Sequence, residues 1–125
     1  MRILIVESDN SIRRLYKREF SDLGYDISLV RTTSEALEHV RSEHPALVVL
    51  DLGVSALDQL ESVNLMQSLD DRIQIILNSD SISHPFAGMY DAYVRKTSDL
   101  SDLKKAIQNL LSSSSHEKVH FAAAS

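Results

Sequence analysis

The length, composition and charge of the chain already exclude several classes of protein. At 125 residues, we expect one domain with one core rather than two separate bodies. The absence of cysteine excludes disulfides, thiolate metal sites and cysteine nucleophiles. The 13 Lys and Arg against 18 Asp and Glu give a net charge of -5, which disfavours direct binding to nucleic acid or to an anionic membrane. No apolar run approaches the ~20 residues of a membrane helix, and we expect a cytoplasmic protein.

Short apolar runs along the chain predict β-strands. They lie at residues 3–6, 27–30, 46–50, 73–77 and 93–94. The first four are rich in β-branched residues and nearly continuous, as expected of strands that are buried on both faces of a parallel sheet. The last run is the weakest of the set.

Apolar residues at helical spacing predict helices between these runs and after the last one. The stripes consist of Ile12, Leu15, Tyr16, Phe20 and Leu23; of Ala36, Leu37 and Val40; of Leu57, Leu60, Val63, Leu65, Met66 and Leu69; and of Leu100, Leu103, Ala106, Ile107, Leu110 and Leu111. Gly24 marks the end of the first helix, and Thr32 with Glu35 forms a capping box at the start of the second. Asp99 and Asp102 place carboxylates in the first turn of the last helix.

Strand and helix alternate along the chain with short connections, which predicts an α/β fold with a five-stranded, doubly wound parallel sheet. Residues 80–90 depart from this rhythm. They contain Pro85 and Gly88 and are too short and broken for a normal helix, so we expect a shortened or missing fourth helix there. The domain is expected to span residues 1–111, and the serine-rich residues 112–125 to form a flexible tail or linker.

A zinc-protease signature near the end of the chain is rejected. His116, Glu117 and His120 spell HExxH, in which two histidines one helical turn apart bind zinc. Here the motif follows a run of serines, only five residues remain for a third ligand, and no core is predicted around it. We expect no catalytic zinc at this position.

Polar and charged residues follow most of the apolar runs, at the edge of the predicted sheet where ligands bind in such folds. They are Glu7, Ser8 and Asp9 after the first run, Asp51 after the third, Asn78, Ser79 and Asp80 after the fourth, and Arg95 with Lys96 after the fifth. Crowded carboxylates repel one another unless a cation lies among them, which predicts a hard, oxygen-ligated divalent metal such as Mg²⁺. Lys96 supplies the opposing positive charge.

The order of these residues resembles the receiver domain of response regulators, the CheY-like domain of two-component signalling. The matching segments are ILIVESDNSIRR at 3–14, ALVVLDL at 46–52, IILNS at 75–79 and DAYVRKTSDLSDL at 91–103, and the resemblance covers about residues 2–111. It implies a flavodoxin-like fold with strand order 2-1-3-4-5. It also implies a phospho-accepting signal protein that catalyses its own phosphotransfer and is not an enzyme in the usual sense.

By position, the resemblance assigns catalytic and metal-binding roles at this edge. Asp51 is the phospho-acceptor, which takes a phosphoryl group from a histidine kinase or a phosphotransfer protein. Lys96 contacts the phosphoryl group and neutralises part of its charge. Glu7, Asp51 and the backbone carbonyl of Gly53 bind Mg²⁺.

The resemblance also implies a switch that passes the signal to a downstream effector protein. Ser79 is the switch hydroxyl, which hydrogen-bonds the new phosphoryl group together with Lys96, and Tyr93 is the switch aromatic. Simpler interpretations stay open. Ser79 is also typical of a turn, Tyr93 of an ordinary half-buried strand position, and Glu7 with Lys96 of a structural ion pair.

Two departures from the family pattern carry expectations of their own. Ser8 stands where the family has a second carboxylate that binds the metal, and Asp9 lies one residue later. With Ser8 or Asp9 as the substitute ligand, we expect weak Mg²⁺ binding and slow phosphorylation. Thr97 follows Lys96 where the family has a cis-proline. A cis bond before a non-proline residue costs about 2.5–4 kcal/mol, so either this bond is trans with Lys96 displaced or the fold sustains the cost.

Two other functions stay open at this point. A pseudo-receiver would keep Asp51 but lose an efficient metal site through Ser8, and would act as a phosphorylation-independent protein-interaction module. A small hydrolase is less consistent with the residues, because Gly53 stands where haloacid-dehalogenase-type phosphatases have a second aspartate.

Overall fold

The computed structural model describes residues 2–51, 56–79, 90–95 and 100–112; of residues 51, 56–60 and 79 it describes the backbone. The elements in chain order are β1 (Arg2–Glu7), α1 (Asn10–Ser21), β2 (Asp26–Val30), α2 (Thr33–Glu43), β3 (Leu47–Asp51), α3 (Ala56–Leu69), β4 (Gln74–Ser79), β5 (Ala92–Arg95) and α4 (Ser101–Ser112). The strands form one parallel sheet in the order β2-β1-β3-β4-β5. The predicted fold class and strand order are confirmed.

Both faces of the sheet are covered, because successive strand residues point to opposite sides. The α2/α3-side core contains Leu4, Val6, Val48, Leu50, Ile75 and Leu77 from the strands, packed with Ala36, Val40, Val63 and Met66 from the helices. The α1/α4-side core contains Ile3, Ile5, Leu47, Val49 and Ile76, packed with Tyr16, Phe20, Leu103, Ile107 and Leu110. This two-sided burial explains why the strand runs are nearly continuous rather than alternating.

Side-chain caps define where the first two helices begin. The predicted capping box of α2 is present: the Glu35 N–H donates to Thr32 Oγ1 at 3.2 Å, and the Thr32 N–H donates to Glu35 Oε1 at 3.2 Å. Helix α1 starts after Asp9, whose Oδ1 accepts the N–H groups of Ser11 at 2.8 Å and Ile12 at 3.1 Å. These bonds satisfy amide groups that have no partner inside the first helical turn.

The apolar stripes of α1 and α3 are narrower than predicted. Helix α1 ends at Ser21, so Leu23 lies beyond it and is exposed, while Gly24 adopts a left-handed turn with φ of 80°. On α3, Leu65 and Leu69 are also exposed, with 45% and 38% of their surface accessible. The predicted stripe of α3 does lie on a helix, but the core takes up only the face that carries Val63 and Met66, and the predicted stripe of α1 extends one turn too far.

The short fifth run becomes a strand with help from a residue that precedes it. The N–H of Asp91 donates to the Ile75 carbonyl at 2.9 Å, and Asp91 Oδ2 accepts the Ile75 N–H at 2.8 Å. This buried pair of bonds aligns β5 with β4 before the regular ladder starts.

Several predictions fall on parts of the chain that are outside the described residues. They are the shortened helix within residues 80–89, the metal-binding carbonyl of Gly53, the Lys96–Thr97 peptide bond, Asp99, and most of the serine-rich tail. Over the described residues, no helix is long and apolar enough to span a membrane.

Candidate functional site

The strand register brings the acidic ends of β1 and β3 side by side. Glu7 and Asp51 are Cα partners, each the last residue of its strand. Both therefore lie at the carboxyl end of the parallel sheet, where the polar residues were predicted to meet. On the neighbouring strand β4, Leu77 is the Cα partner of Leu50, and the same register places Asn78 beside Asp51.

The Glu7 carboxylate is buried and held by the backbone that follows it. Only 2% of Glu7 is accessible, and its Oε2 accepts the Asp9 N–H at 3.0 Å. The Glu7 carbonyl accepts Nη1 of Arg13 at 2.7 Å. A buried carboxylate is costly unless hydrogen bonds or a cation stabilise it, and the Asp9 N–H supplies one such bond and fixes the position of the side chain.

The two residues after Glu7 have different environments. Ser8 is exposed. Asp9 is the N-cap of α1, and one of its carboxylate oxygens accepts the two amide groups described above. Sequence reasoning placed Asp9 only as a substitute metal ligand and did not assign this cap, although an aspartate before an apolar-periodic segment is the signal for it.

Asn78 is a polar residue at the site to which sequence reasoning assigned no role of its own. Only 2% of it is accessible, and its Nδ2 donates to the hydroxyl oxygen of Tyr16 at 3.1 Å. The neighbouring Ser79 is the Cα partner of Arg95 on β5. Asn78 thus joins β4 to α1 through a buried hydrogen bond one residue before the predicted switch hydroxyl.

Tyr93 is fully buried rather than half-buried. It belongs to the α2/α3-side core, is the Cα partner of Leu77, and has its ring centroid 6.3 Å from that of Tyr90. Burial raises the pKa of the Tyr90 phenol, and the nearby Tyr93 adds to that rise. The Tyr90 phenol therefore remains neutral at neutral pH.

The described residues place only part of the predicted set. Glu7 and Tyr93 are described with their side chains, Asp51 and Ser79 by their backbone, and Lys96 and Gly53 are outside the described residues. In the described ranges, no group of three or more His, Asp or Glu side chains is arranged to hold a metal ion.

Comparison with known proteins agrees with this architecture. Residues 3–108 match the family model for the response regulator receiver domain. Response regulator MprA of Mycobacterium avium is 34% identical over 116 residues, and the same protein of Mycobacterium leprae is 35% identical over 116 residues. Each alignment covers 89% of this chain and 51% of the relative, so the chain spans about half the length of the curated relatives it matches.

Solved structures show the same fold. Response regulator protein TrrA of Thermotoga maritima, in complex with Mg(2+)-BeF, is 29% identical with a TM-score of 0.77, over 87% of this chain and 97% of that chain. In a complex of TrrA with histidine kinase ThkA, the identity is 31% and the TM-score 0.77, over 88% and 97% of the two chains. A CheY-like receiver of Methanospirillum hungatei, at 24% identity, has a TM-score of 0.80 over 90% and 94%. The chain therefore belongs to the response regulator receiver domain family of two-component signal transduction.

Proposed function

We propose that this chain accepts a phosphoryl group on Asp51 from a histidine kinase or a phosphotransfer protein. The observation that carries the proposal is the pairing of Asp51 with the buried, anchored Glu7 at the carboxyl end of the sheet. In the reaction, a carboxylate oxygen of Asp51 bonds to phosphorus while the phosphorus–nitrogen bond of the phosphohistidine breaks. The donor imidazole keeps the electron pair, and Asp51 becomes an acyl phosphate.

The acidic end of β1 fits a hard divalent cation. Glu7 offers a carboxylate whose orientation is fixed by the Asp9 N–H, and carboxylate oxygens are ligands that Mg²⁺ prefers. We assign Glu7, Asp51 and the Gly53 carbonyl to this ion, which when bound would neutralise negative charge on the phosphoryl oxygens. Ser8 provides no second carboxylate, so the site should bind Mg²⁺ more weakly than one with an acidic pair.

Lys96 and Ser79 complete the proposed acceptor site. Lys96 would place a positive charge against the phosphoryl oxygens, and the Ser79 hydroxyl would donate a hydrogen bond to one of them. Tyr93 lies in the core beneath this edge, next to Leu77 on β4. Movement of Ser79 toward the phosphoryl group would alter the packing around Tyr93 and so change the surface that a downstream effector contacts.

The cellular context is proposed on the same grounds. The TrrA complex with histidine kinase ThkA supports a sensor kinase as the partner of this chain. A two-component receiver is expected in the cytoplasm, with an effector protein downstream. The chain spans about half the length of its curated relatives. For a full-length protein we propose only that the signal passes to an effector.

The test is phosphoryl incorporation with a small phosphodonor and Mg²⁺, followed by intact mass. We expect the wild type to gain one acid-labile phosphoryl group and Asp51→Ala to gain none. Asp71→Ala is the control, because Asp71 is an exposed residue in the turn between α3 and β4 and should not affect the reaction. No adduct in the wild type at high Mg²⁺ would contradict the proposal and assign the pseudo-receiver function. Turnover of the donor without a stable adduct would assign a hydrolase.

A further inference from the structure

An open groove lies between α1 and the edge strand β2. It has a volume of about 320 Å³ and is lined by Asn10, Arg13, Arg14, Lys17 and Leu29. The four residues of α1 are spaced three and four positions apart, so they form one continuous stripe along the helix. Leu29 is a half-buried residue of β2, the outermost strand of the sheet on this side. We refer to this feature as the α1–β2 groove.

The groove concentrates positive charge in an acidic chain. Three of its lining residues are cationic and none is acidic, although the whole chain has a net charge of -5. Elsewhere, Arg2, Arg41, Arg72 and Lys104 each have a carboxylate within 4.0 Å. Within the described part of the chain, Arg14 and Lys17 have none.

This charge distribution has an energetic cost in the free protein. Like charges three or four positions apart on a helix are neighbours on its surface and repel one another. The spacing of Arg14 and Lys17, and of Arg13 and Lys17, produces two such pairs on one stripe. An anion bound between them would relieve the repulsion, so the free groove carries positive charge that a ligand can neutralise.

Arg13 is already held in place on one side of the groove. Its Nη1 donates to the Glu7 carbonyl at 2.7 Å, and the residue is half-buried. A guanidinium group has five N–H donors in a planar fork, so this single bond leaves most of them for a ligand. Because the side chain is partly immobilised before binding, less conformational entropy is lost when an anion binds.

We propose that the α1–β2 groove binds a small anionic molecule that carries a phosphoryl group. The planar guanidinium groups of Arg13 and Arg14 suit the paired oxygens of a phosphoryl group, and Lys17 adds a point charge. Asn10 can donate or accept a hydrogen bond to a polar substituent, while Leu29 offers an apolar contact. The volume of about 320 Å³ lies at the lower end of the ~300–1,000 Å³ range of small-molecule sites.

The proposal is independent of phosphoryl transfer to Asp51, and its test does not require that reaction. The protein labelled with ¹⁵N is titrated with sodium pyrophosphate, and separately with inorganic phosphate, in the absence of divalent metal. We expect amide shifts confined to α1 and β2 that saturate and weaken as salt is raised. Arg14→Gln with Lys17→Gln should weaken pyrophosphate binding by about tenfold or more.

Lys105→Gln is the matched control. Lys105 is an exposed lysine on α4 and has no carboxylate within 4.0 Å in the described ranges, so its substitution removes one positive charge, half of what the double variant loses, without touching the groove. The control should bind pyrophosphate as the wild type does. Thermal unfolding of all variants verifies the fold, and the double variant should be no less stable than the wild type, because its substitutions remove repulsion.

Three results would overturn the proposal. The first is no saturable shift at millimolar pyrophosphate. The second is equal weakening in Lys105→Gln and in the double variant, which would indicate diffuse attraction to net charge. The third is saturable binding of an acidic peptide such as hexaglutamate to the groove when neither phosphate probe binds. That result would assign the surface to an acidic protein segment instead.

Discussion

The acidic end of β1 and the basic α1–β2 groove are polar regions that share Arg13 but are built in opposite ways. At the first, one buried carboxyl group accepts the Asp9 backbone N–H, so Glu7 is held in place before any cation binds. At the second, several charges of the same sign lie on one exposed stripe. The difference suggests that the acidic end is prepared for one ion in one position, whereas the groove attracts by charge and adapts to its ligand.

Of all changes at the two regions, Glu7→Gln is expected to have the largest effect, and the effect is on the rate of phosphorylation. The amide oxygen of glutamine can still accept the Asp9 N–H, so the fold is preserved while the charge is lost. Because Ser8 already leaves the proposed site short of one carboxylate, we expect the initial rate of phosphorylation at fixed Mg²⁺ to fall by about tenfold or more. Initial rates from intact mass across a Mg²⁺ series measure this.

Glu38→Gln serves as the control for that experiment. Glu38 is an exposed residue of α2 that pairs with Arg41, and it lies outside both polar regions. Its rate should equal that of the wild type. If Glu7→Gln also has the wild-type rate, Glu7 is not one of the metal ligands, and the acidic end of β1 is not prepared for a cation.

A second change tests the buried hydrogen bond between Asn78 and Tyr16. Tyr16→Phe removes the acceptor and leaves the Asn78 amide less well satisfied in the core, which should lower the free energy of unfolding by about 1–3 kcal/mol. Urea unfolding measures the change. Tyr25→Phe is the control, because Tyr25 is half-buried on the same face and its hydroxyl has no hydrogen bond to any residue that the structure describes. Equal stability of the two variants would show that the bond contributes nothing.

A third change separates the capping role of Asp9 from a metal-binding role. Asp9→Ala should lower the free energy of unfolding by about 1 kcal/mol, and Asp9→Asn should restore most of it, because asparagine is an equally good N-cap. Neither variant should alter the Mg²⁺ dependence of phosphorylation. If Asp9→Asn has wild-type stability but needs much more Mg²⁺, Asp9 is a ligand as well as a cap.

The smallest effect is expected on the stability contributed by Lys104, which has an acidic partner, unlike Arg14 and Lys17 within the described part of the chain. The hydrogen bond and charge of Lys104, 2.9 Å away, lower the pKa of Glu19. A lowered carboxyl pKa stabilises the fold above the ordinary glutamate pKa, and the contribution disappears as pH falls through the lowered value. Lys104→Gln should therefore be slightly less stable than the wild type at pH 7, and the gap should narrow as pH falls below the ordinary glutamate pKa. Urea unfolding across a pH series measures the difference, and a gap that does not narrow in acid would contradict the assignment.

The strands and the parallel, doubly wound sheet could be predicted because each strand is a short apolar run and strands alternate with helices through short connections. The order of the strands was implied by the resemblance to receiver domains. Because the strands are buried on both faces, the register between neighbouring strands could not be predicted. A strand that is apolar on both faces has no alternation in its sequence, so its sequence does not indicate its register with the next strand. It therefore could not be predicted that Asn78, rather than Ser79, lies beside Asp51. That distinction depends on the register between β3 and β4, which only the folded chain fixes.

The helices show a similar limit. The capping box of α2 could be identified because its two residues lie close in sequence and bond each other. The exposure of Leu65 on α3 could not, because the stripe of that helix is apolar over more than one face and only packing selects the buried one. The α1–β2 groove could not be predicted either, because Arg13 and Arg14, taken alone in the sequence, are typical of a solvated helix surface.

The bond between Asn78 and Tyr16 also has a consequence for how the chain folds. Its two residues are 62 positions apart in sequence, and β1 and β3 separate β4 from the edge strand next to α1. The bond can close only after the central strands have paired, because contacts of such long range follow the closure of a large loop. Slow hydrogen exchange of the Asn78 side-chain amide would therefore report completion of the sheet, whereas backbone amides of α1 can gain protection as soon as that helix forms.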